Sequence, residues 1–382
     1  MQAVRAAHLT APATETAGAF AWRDYDVMLT GFLTMVLILG LTAIFSAGGG
    51  TSAAFIHQSI YLGAGLLAMH YFASTDYHVL GRFWGLAYVA MLMLLILVRV
   101  AGHTALGAQR WIYVGFFELQ PSEISKLLVI AILARLFRMR EARTRADVSE
   151  GLITFLMGIA VITPPTALIL LQPDLGTAIV FVALLYGMAF MAGVPKRYLI
   201  GSVLLFAAAL PTIAGHLHGY QQRRFYTFFN PAADPLGAGY NILQAKIAVG
   251  SGGIAGRGFL SGTQGQLGFV PARITDFIFA VFSEEWGFVG DLVLLALFLL
   301  MLLRVMRAVQ LARDQLGRLL AFGIGTMIFF QVLVNVGMNI GVMPVVGIPL
   351  PFFSYGGSSM LTNLVSIGVV QSVLTHRRDL RL

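Results

Sequence analysis

The stretch DFIFAVFSEEWGFVGDLVLLALFLLMLL, residues 276–303, is apolar over almost its whole length. A helix rises about 1.5 Å per residue, so roughly 20 apolar residues cross the hydrocarbon core of a bilayer. Comparable runs recur along most of the 382-residue chain. They predict ten helices, near residues 26–46, 53–73, 81–101, 121–138, 152–171, 175–193, 196–215, 276–303, 317–340 and 358–375.

The composition indicates that the solvent of this chain is lipid. Hydrophobic residues make up 58% and charged residues 11% of it, and the mean hydropathy is +0.82. Such a chain is too apolar for a soluble domain, and the strands of a membrane barrel would alternate in segments of about ten residues. With no cysteine, disulfides and thiolate metal sites are excluded. The sequence predicts an all-α, polytopic integral membrane protein of about ten transmembrane helices.

The distribution of lysine and arginine predicts the orientation of these helices. Seventeen of the 25 basic residues fall on one side of the predicted helices, six fall on the other, and two lie near helix ends. The richer side is expected to be cytoplasmic, which places both termini there. We therefore expect cytoplasmic tails at 1–25 and 377–382 and one membrane domain at 26–376. The positive charges are spread over short loops, so we expect no nucleic-acid partner.

Two predicted loops are long, at 102–120 and 216–275, and both are expected outside the cytoplasm. Long loops in compact proteins tend to be functional. The large extracytoplasmic loop, between helices 7 and 8, mixes aromatic residues with turn signals such as Asn230-Pro231, so we expect it to fold back onto the outer face. Its glycines, from Gly250 to Gly262, suit tight turns; a phosphate cradle is the weaker alternative.

Asp276 is the strongest candidate for a functional charge. A charge next to lipid is costly unless it is paired or faces water. Asp276 follows Thr275, a good helix N-cap, so we expect its carboxylate in the first helical turn at the outer mouth of the eighth helix. A carboxylate that only helps to cap the helix is the alternative.

Four further candidates surround the start of the fourth helix. The spacing of three puts Glu123 and Lys126 on one helix face, behind Pro121, which suits the first helical position. They are candidates for substrate binding, although a mutual ion pair would explain both. Upstream, Arg110 offers a planar cation beside Trp111; a membrane-interface anchor explains Trp111 equally well.

Polar residues inside the predicted helices favour helix association. Glu284 and Glu285 are expected about 12 Å below Asp276 and on other faces of the helix, so we expect them to bind neighbouring helices. Side chains that hydrogen-bond between membrane helices are common. A stripe at spacing four in the ninth helix fits that role, at Gln331, Asn335 and Asn339.

The fifth predicted helix contains Pro164 and Pro165. Proline in a helix interior removes a hydrogen bond and kinks the helix. We therefore expect freed backbone carbonyls in mid-membrane. Either helix packing or a cavity would explain the proline pair.

The chemistry of this chain is expected to depend on carboxylate, guanidinium and ammonium groups. The eight histidines form no zincin motif, and neither a Walker A sequence nor a Ser-His-Asp arrangement is recognisable. Charged groups of this kind at an outward face suit a reaction whose donor is a phosphate-linked sugar.

Several blocks, in order over roughly 105–368, carry a family resemblance. They are GAQRWI (107–112), QPSE (120–123) with Lys126, QPDLGTA (172–178), NP (230–231), DPLGAGYN (234–241), GSGG (250–253), GTQ (262–264), TDFIFAV (275–281), GIPLPF (347–352) and SYGGSS (354–359). These blocks resemble the SEDS family (shape, elongation, division and sporulation), and its elongation branch, typified by RodA, more than its division branch, FtsW. One departure is PARI at 271–274, where the family typically has Pro-Glu-x-His, so that Ala272 and Ile274 replace the usual acid and histidine.

The resemblance implies a peptidoglycan glycosyltransferase that polymerises lipid II on the outer face of the bacterial inner membrane during cell elongation and shape maintenance. It also implies a class B penicillin-binding protein as partner, together with lipid II, the nascent glycan strand and membrane lipid. The essential aspartate of the family corresponds to Asp276 and its conserved tryptophan to Trp111. If the acid and histidine usual at these positions assist the aspartate or a cation, their replacement by Ala272 and Ile274 would change activity or cation use.

The expected polymerase reaction gives the charged candidates their roles. Asp276 would act as general base on the acceptor hydroxyl, and a divalent cation, Mg or Mn, is a possible cofactor. Two alternatives stay open: a lipid-linked oligosaccharide flippase, and a non-catalytic scaffold that activates a penicillin-binding protein. Cations would neutralise the leaving pyrophosphate, and the candidates are Arg110, Lys126, Arg223, Arg224 and Lys246.

Overall fold

The computed structural model describes residues 25–50, 52–105, 108–114, 117–216 and 237–376. Each of the ten predicted helical stretches is helical. The two expected tails, apart from Tyr25, and residues 217–236 of the large loop lie outside the described residues. The described elements are α1 (Val27–Ala47), α2 (Ser52–Ser74), α3 (His78–Arg82), α4 (Trp84–Ala101), β1 (His103–Ala105), β2 (Ala108–Val114), β3 (Phe117–Leu119), α5 (Pro121–Ala146), α6 (Val148–Leu171), α7 (Leu175–Met191), α8 (Lys196–His216), α9 (Ala238–Gly252), α10 (Thr263–Gln266), α11 (Ile278–Leu311), α12 (Gln315–Asn339) and α13 (Gly357–Thr375).

Five described helices are long and apolar enough to cross a membrane, namely α1, α6, α11, α12 and α13, and two shorter apolar helices lie in α4 and α7. Large apolar side chains such as Leu67 and Val100 are exposed on the outside of the bundle, as expected where lipid is the solvent. The chain is therefore a multi-pass membrane protein built mostly of helices.

Helix α13 lies at the centre of the bundle. Of its apolar span, 89% is buried. It packs closely on α2, because a Cβ added at Gly368 would lie 2.4 Å from the Met69 carbonyl oxygen and one added at Gly65 would lie 2.4 Å from Leu364. Small residues allow membrane helices to approach each other in this way, and this packing holds the N-terminal end of α13 at the candidate site.

The predicted long loop at 102–120 contains three short strands that the sequence did not predict. This stretch forms a three-stranded antiparallel sheet in the order β1-β2-β3, in which Ile112 is paired with Leu119 and Tyr113 with Glu118. The strands contain three, seven and three residues, and aromatic and β-branched side chains favour strands. Segments this short give too little alternation to be recognised within a helical sequence.

The start of α11 differs from the prediction. The helix begins at Ile278, and its N-cap residue Phe277 makes no side-chain capping bond, so Asp276 precedes the helix instead of occupying its first turn. A break follows at Gly287, with φ 65° and ψ −170°. The Gly253 carbonyl accepts from the Phe288 N–H (2.9 Å). The glycine-rich segment thus satisfies backbone groups that the break leaves free, which confirms close packing and turns as the use of these glycines.

The two prolines lie inside α6, which continues from Val148 to Leu171. Pro165 has no N–H for the carbonyl of Val161, four residues earlier. The hydroxyl of Tyr88 in α4 donates to this carbonyl at 3.0 Å. Helix packing therefore accounts for the carbonyl that Pro165 frees.

Candidate active site

A groove of about 470 Å³ lies between the small sheet, the N-terminal ends of α5, α7 and α13, and the chain preceding α11. Ligand pockets typically occupy about 300–1,000 Å³. Five of the eight sequence candidates line it. They are Arg110, Trp111, Glu123, Lys126 and Asp276.

Asp276 is held in the groove wall through its backbone. Its carbonyl oxygen accepts from the side-chain amide of Asn335 at 3.0 Å and from that of Asn339 at 3.1 Å. Asn335 also donates to the carbonyl of Ile348 at 2.8 Å, and both asparagines are fully buried. Asn335 and Asn339 therefore join the two chain segments that form this wall, as predicted, whereas the buried side chain of Gln331 makes no hydrogen bond with a described residue.

The other side of the Asp276 segment is fixed by the loop that precedes α13. The hydroxyl of Ser354 donates to the carbonyl of Thr275 at 2.7 Å, and the N–H of Tyr355 donates to the carbonyl of Ile274 at 2.9 Å. Gly347 has φ +75°, and a Cβ added there would lie 3.5 Å from Oδ2 of Asp276. Two segments thus fix a non-helical backbone that presents a partly buried carboxylate to the groove.

Glu123 and Lys126 form a buried ion pair at the groove wall. Lys126 Nζ lies 2.7 Å from Glu123 Oε1, and the two residues are 4% and 2% exposed. No described residue hydrogen-bonds the second carboxylate oxygen of Glu123. The pair predicted from the spacing of three is present, and it faces the groove.

Arg110 binds main-chain carbonyls beneath the sheet. Its Nε donates to the carbonyl of Gln172 at 2.9 Å, and its Nη2 contacts the carbonyl of Pro173. Trp111, the next residue in β2, lies half-buried in the groove wall. Arg110 therefore ties the sheet to the start of α7.

Comparison with known proteins identifies the family of this chain. The sequence model of the FtsW/RodA/SpoVE family, described as "Cell cycle protein", matches residues 24–379. The chain belongs to the FtsW/RodA/SpoVE family. The resemblance drawn from the sequence blocks is thereby confirmed.

Relatives of this FtsW/RodA/SpoVE protein cover nearly its whole length. It is 39% identical over 356 residues to the peptidoglycan glycosyltransferase MrdB of Escherichia coli K12, covering 93% of this chain and 95% of that protein. It is 32% identical to the peptidoglycan glycosyltransferase RodA of Treponema pallidum, covering 92% and 97%.

Two solved structures have the same fold as this FtsW/RodA/SpoVE protein. One concerns a peptidoglycan synthase complex that coordinates polymerization and crosslinking; it matches with a TM-score of 0.79 and 33% identity, covering 94% of this chain and 100% of the other. The other is the crystal structure of Thermus thermophilus RodA, with a TM-score of 0.68 and 32% identity, covering 93% and 98%.

The remaining basic candidate among the described residues, Lys246, is not in the groove lining. Lys246 is exposed on α9 and lies over Gly341, where an added Cβ would come within 1.8 Å of its Cε. Arg223 and Arg224 lie outside the described residues. Of the five proposed cations, Arg110 and Lys126 line the same groove.

Glu284 and Glu285 bind elements next to α11. The carboxylate of Glu284 accepts from the N–H groups of Gln264 (2.9 Å) and Gly265 (3.0 Å) at α10. Glu285 contacts the hydroxyl of Ser46 at the end of α1. The prediction that they bind neighbouring helices is confirmed, and these contacts hold the glycine-rich segment in place.

Asp174 is a groove residue that the sequence analysis did not single out. Its carboxylate accepts from the N–H of Thr177 at 3.1 Å, which caps α7, and from the hydroxyl of Ser122 in α5 at 3.1 Å. The Asp-x-x-Thr spacing is a capping signal. Asp174 is 3% exposed, and it holds the starts of two helices together beneath the groove.

Within the described ranges, no group of three or more acidic or histidine side chains could hold a metal ion. The described residues of the groove lining include four carboxylates and two cations. A cation held there would therefore need oxygen ligands from a bound substrate as well as from the protein.

Proposed function

We propose that this chain is a peptidoglycan glycosyltransferase that polymerises lipid II into glycan strands at the groove containing Asp276. The acceptor sugar's 4-hydroxyl attacks the anomeric carbon of the growing chain with inversion, and undecaprenyl pyrophosphate leaves. One observation carries the proposal: a carboxylate fixed through its backbone lines a ligand-sized groove in a chain whose relatives are named peptidoglycan glycosyltransferases.

Asp276 is the proposed general base. The reaction requires removal of the acceptor hydroxyl proton, and a positioned carboxylate typically contributes about 10²–10⁴-fold to such a step. Asn335 and Asn339 bind its main chain, and Asp276 lines the groove. Asp276 takes the proton as the new glycosidic bond forms.

The leaving diphosphate needs positive charge. Arg110 and Lys126 are the cations of the described groove lining, and both already bind protein acceptors. A divalent cation, Mg or Mn, would supply further positive charge, and groove carboxylates would hold it there together with the substrate. Lys246, Arg223 and Arg224 remain proposed cations for the leaving diphosphate.

The proposed topology has ten membrane spans, α1, α2, α4 to α8 and α11 to α13, with both tails in the cytoplasm. The groove then opens on the outer face of the bacterial inner membrane, where lipid-linked sugars meet water. The positive-inside count supports this orientation. A class B penicillin-binding protein is the proposed partner, supported by the similarity to a synthase complex.

The test is glycan-strand synthesis from lipid II by the purified chain with its partner. Asp276→Asn keeps the size of the side chain and removes the base, so we expect synthesis to fall by about 100-fold or more while the complex stays folded. Asp147→Asn, in the exposed connection between α5 and α6, is the control and should keep full activity. Unchanged synthesis by Asp276→Asn would remove the base assignment.

The same preparation separates the rival functions. A flippase would move labelled lipid II across a vesicle membrane without forming polymer. A scaffold would leave glycan synthesis to another enzyme, so Asp276→Asn would then leave cell shape unchanged in a strain that depends on this chain.

A further inference from the structure

Glu118 in β3 is a groove carboxylate whose side chain makes no hydrogen bond or ion pair with a described residue. The other three are engaged or held: Glu123 pairs with Lys126, Asp174 caps α7, and Asp276 belongs to the proposed chemistry. Glu118 is exposed and lines the groove. Among the described residues, none donates a hydrogen bond to its carboxylate or forms an ion pair with it.

The sheet presents aromatic side chains beside this carboxylate. Tyr113 in β2 is the direct cross-strand neighbour of Glu118, and directly opposed residues of an antiparallel pair project from the same face. Trp111, two residues before Tyr113, shares that face. All three line the groove, so a negative charge lies next to two aromatic rings.

The position of Glu118 is fixed by its main chain. Its carbonyl accepts from the hydroxyl of Ser358 at 2.7 Å, and the same hydroxyl accepts from the N–H of Gln120 at 2.8 Å. Ser358 lies in the first turn of α13, the buried central helix. The carboxylate is therefore exposed, while the strand that carries it is attached to the core.

Tyr355 and Tyr61 complete the surroundings of Glu118. Their ring centroids are 6.4 Å apart. Burial raises the pKa of Tyr355, and the neighbouring Tyr61 and the negative charge of Glu118 raise it further. Tyr355 thus stays a neutral phenol, and its N–H binds Ile274, two residues from Asp276. The Glu118 cluster and the proposed base are parts of one wall.

We propose that Glu118, with Tyr113 and Trp111, binds a primary ammonium group on the peptide branch of the lipid-linked sugar. This inference rests on the proposed function. A carboxylate accepts charge-assisted hydrogen bonds from an ammonium, and aromatic faces attract the same cation. Among the described residues that line the groove, carboxylates outnumber cations, which favours a positively charged ligand at this end.

The experiment compares two lipid II substrates with identical sugars, one with a free amine on the third residue of its stem peptide and one with that amine acetylated. The purified complex should prefer the free amine by about two- to fivefold in kcat/KM, through KM, as expected for one solvent-exposed charged contact. Glu118→Gln should lose this preference and leave kcat with the acetylated substrate unchanged. Glu141→Gln removes a carboxylate near the end of α5 that lies away from the groove. It is the matched control and should keep the preference.

Two outcomes would overturn the inference. If the wild-type complex uses both substrates equally, no ammonium is recognised, whatever the variant does. If Glu118→Gln weakens both substrates to the same extent, Glu118 contacts the sugars. In either case polymer still forms, so the proposed function survives. Absence of polymer from both substrates would instead reject the proposed function, and this inference with it.

Discussion

The side-chain amide of Asn335 donates a hydrogen bond to the backbone carbonyl of Asp276 at 3.0 Å, across 59 residues of sequence. Asn335 is fully buried in α12, whereas Asp276 belongs to the irregular chain before α11. A side chain of the helix core thus determines where the proposed base lies, without touching its carboxylate.

Replacing Asn335 should therefore lower activity more than it lowers stability. Asn335→Ala leaves the buried carbonyls of Asp276 and Ile348 each with one donor fewer, at a cost of about 1–3 kcal/mol in the free energy of unfolding. A displacement of a catalytic group by about 1 Å can reduce a rate by about 10²-fold. We expect kcat for glycan synthesis to fall by about 10- to 100-fold. The thermal unfolding temperature of the same variant measures its loss of stability.

The control for Asn335 is Gln371→Ala. Gln371 is also fully buried, and its amide bonds the main chain of Asp26 near the end of the bundle remote from the groove. It should lose similar stability while keeping its kcat. Equal losses of kcat in both variants would mean that Asn335 acts only through stability.

The helices could be predicted from the sequence, but the contact between Asn335 and Asp276 could not. Long apolar runs such as 276–303 predict a helix because the periodicity is local. The end of a helix depends on what binds its first residues: Thr275 looked like a cap, but its carbonyl binds Ser354 and the helix begins at Ile278. The bonds that fix Asp276 come from residues 59 and 63 positions away, which no local pattern indicates.

The buried pair of Glu123 and Lys126 gives a test of structural against substrate-binding roles. Lys126→Met leaves the Glu123 carboxylate buried without its partner, which typically costs about 3–5 kcal/mol. The double variant Glu123→Gln/Lys126→Met removes both charges and should recover most of the unfolding temperature. If Lys126 also binds substrate, as proposed, the double variant should still synthesise glycan at least about tenfold more slowly than wild type, since a charged contact contributes roughly 1.5–3 kcal/mol. Recovery of both stability and activity would assign the pair to structure alone.

A carboxylate at the opposite end of α11 and α12 predicts a pH dependence. Asp314 caps α12 through the N–H of Gly317 and accepts from the hydroxyl of Tyr77 at 2.8 Å, with Arg138 nearby at 3.3 Å. Burial alone would raise the pKa of Asp314, but the Gly317 N–H, the Tyr77 hydroxyl and the Arg138 and His78 charges together lower it.

A lowered carboxyl pKa stabilises the fold above the pKa of the unfolded chain, and this contribution is lost as the pH falls through the folded-state value. Asp314→Asn should therefore lower the unfolding temperature at pH 7, and its difference from wild type should shrink below about pH 4, near the ordinary aspartate pKa. Unfolding followed in detergent across that range measures both. A difference that is constant with pH would mean that the carboxylate charge contributes nothing.

Only some of the residues that line the groove could be predicted from the sequence. Asp276, Glu123 and Lys126 could be chosen because each is a charge beside an apolar run. Glu118 and Tyr113 could not, because their shared face exists only once β2 and β3 pair. Lys246 looked equivalent to the other cations, yet α9 places it over Gly341. Charge identifies candidates, and pairing between distant segments decides which of them meet.

The same substitution at two glycines of α9 should have opposite effects on stability. A Cβ added at Gly250 meets no atom within 4 Å, whereas one added at Gly252 would lie 2.0 Å from the carbonyl oxygen of Ser283 in α11. Alanine is better than glycine in a helix by roughly 1 kcal/mol, so Gly250→Ala should raise the unfolding temperature. Gly252→Ala must push α9 away from α11 at a cost of about 1–3 kcal/mol, and the bond from Ser251 to Glu284 would lengthen with it. The two variants differ only in their position on one helix, so a fall in unfolding temperature for both would show that α9 does not tolerate alanine on either face and would contradict the close contact at Ser283.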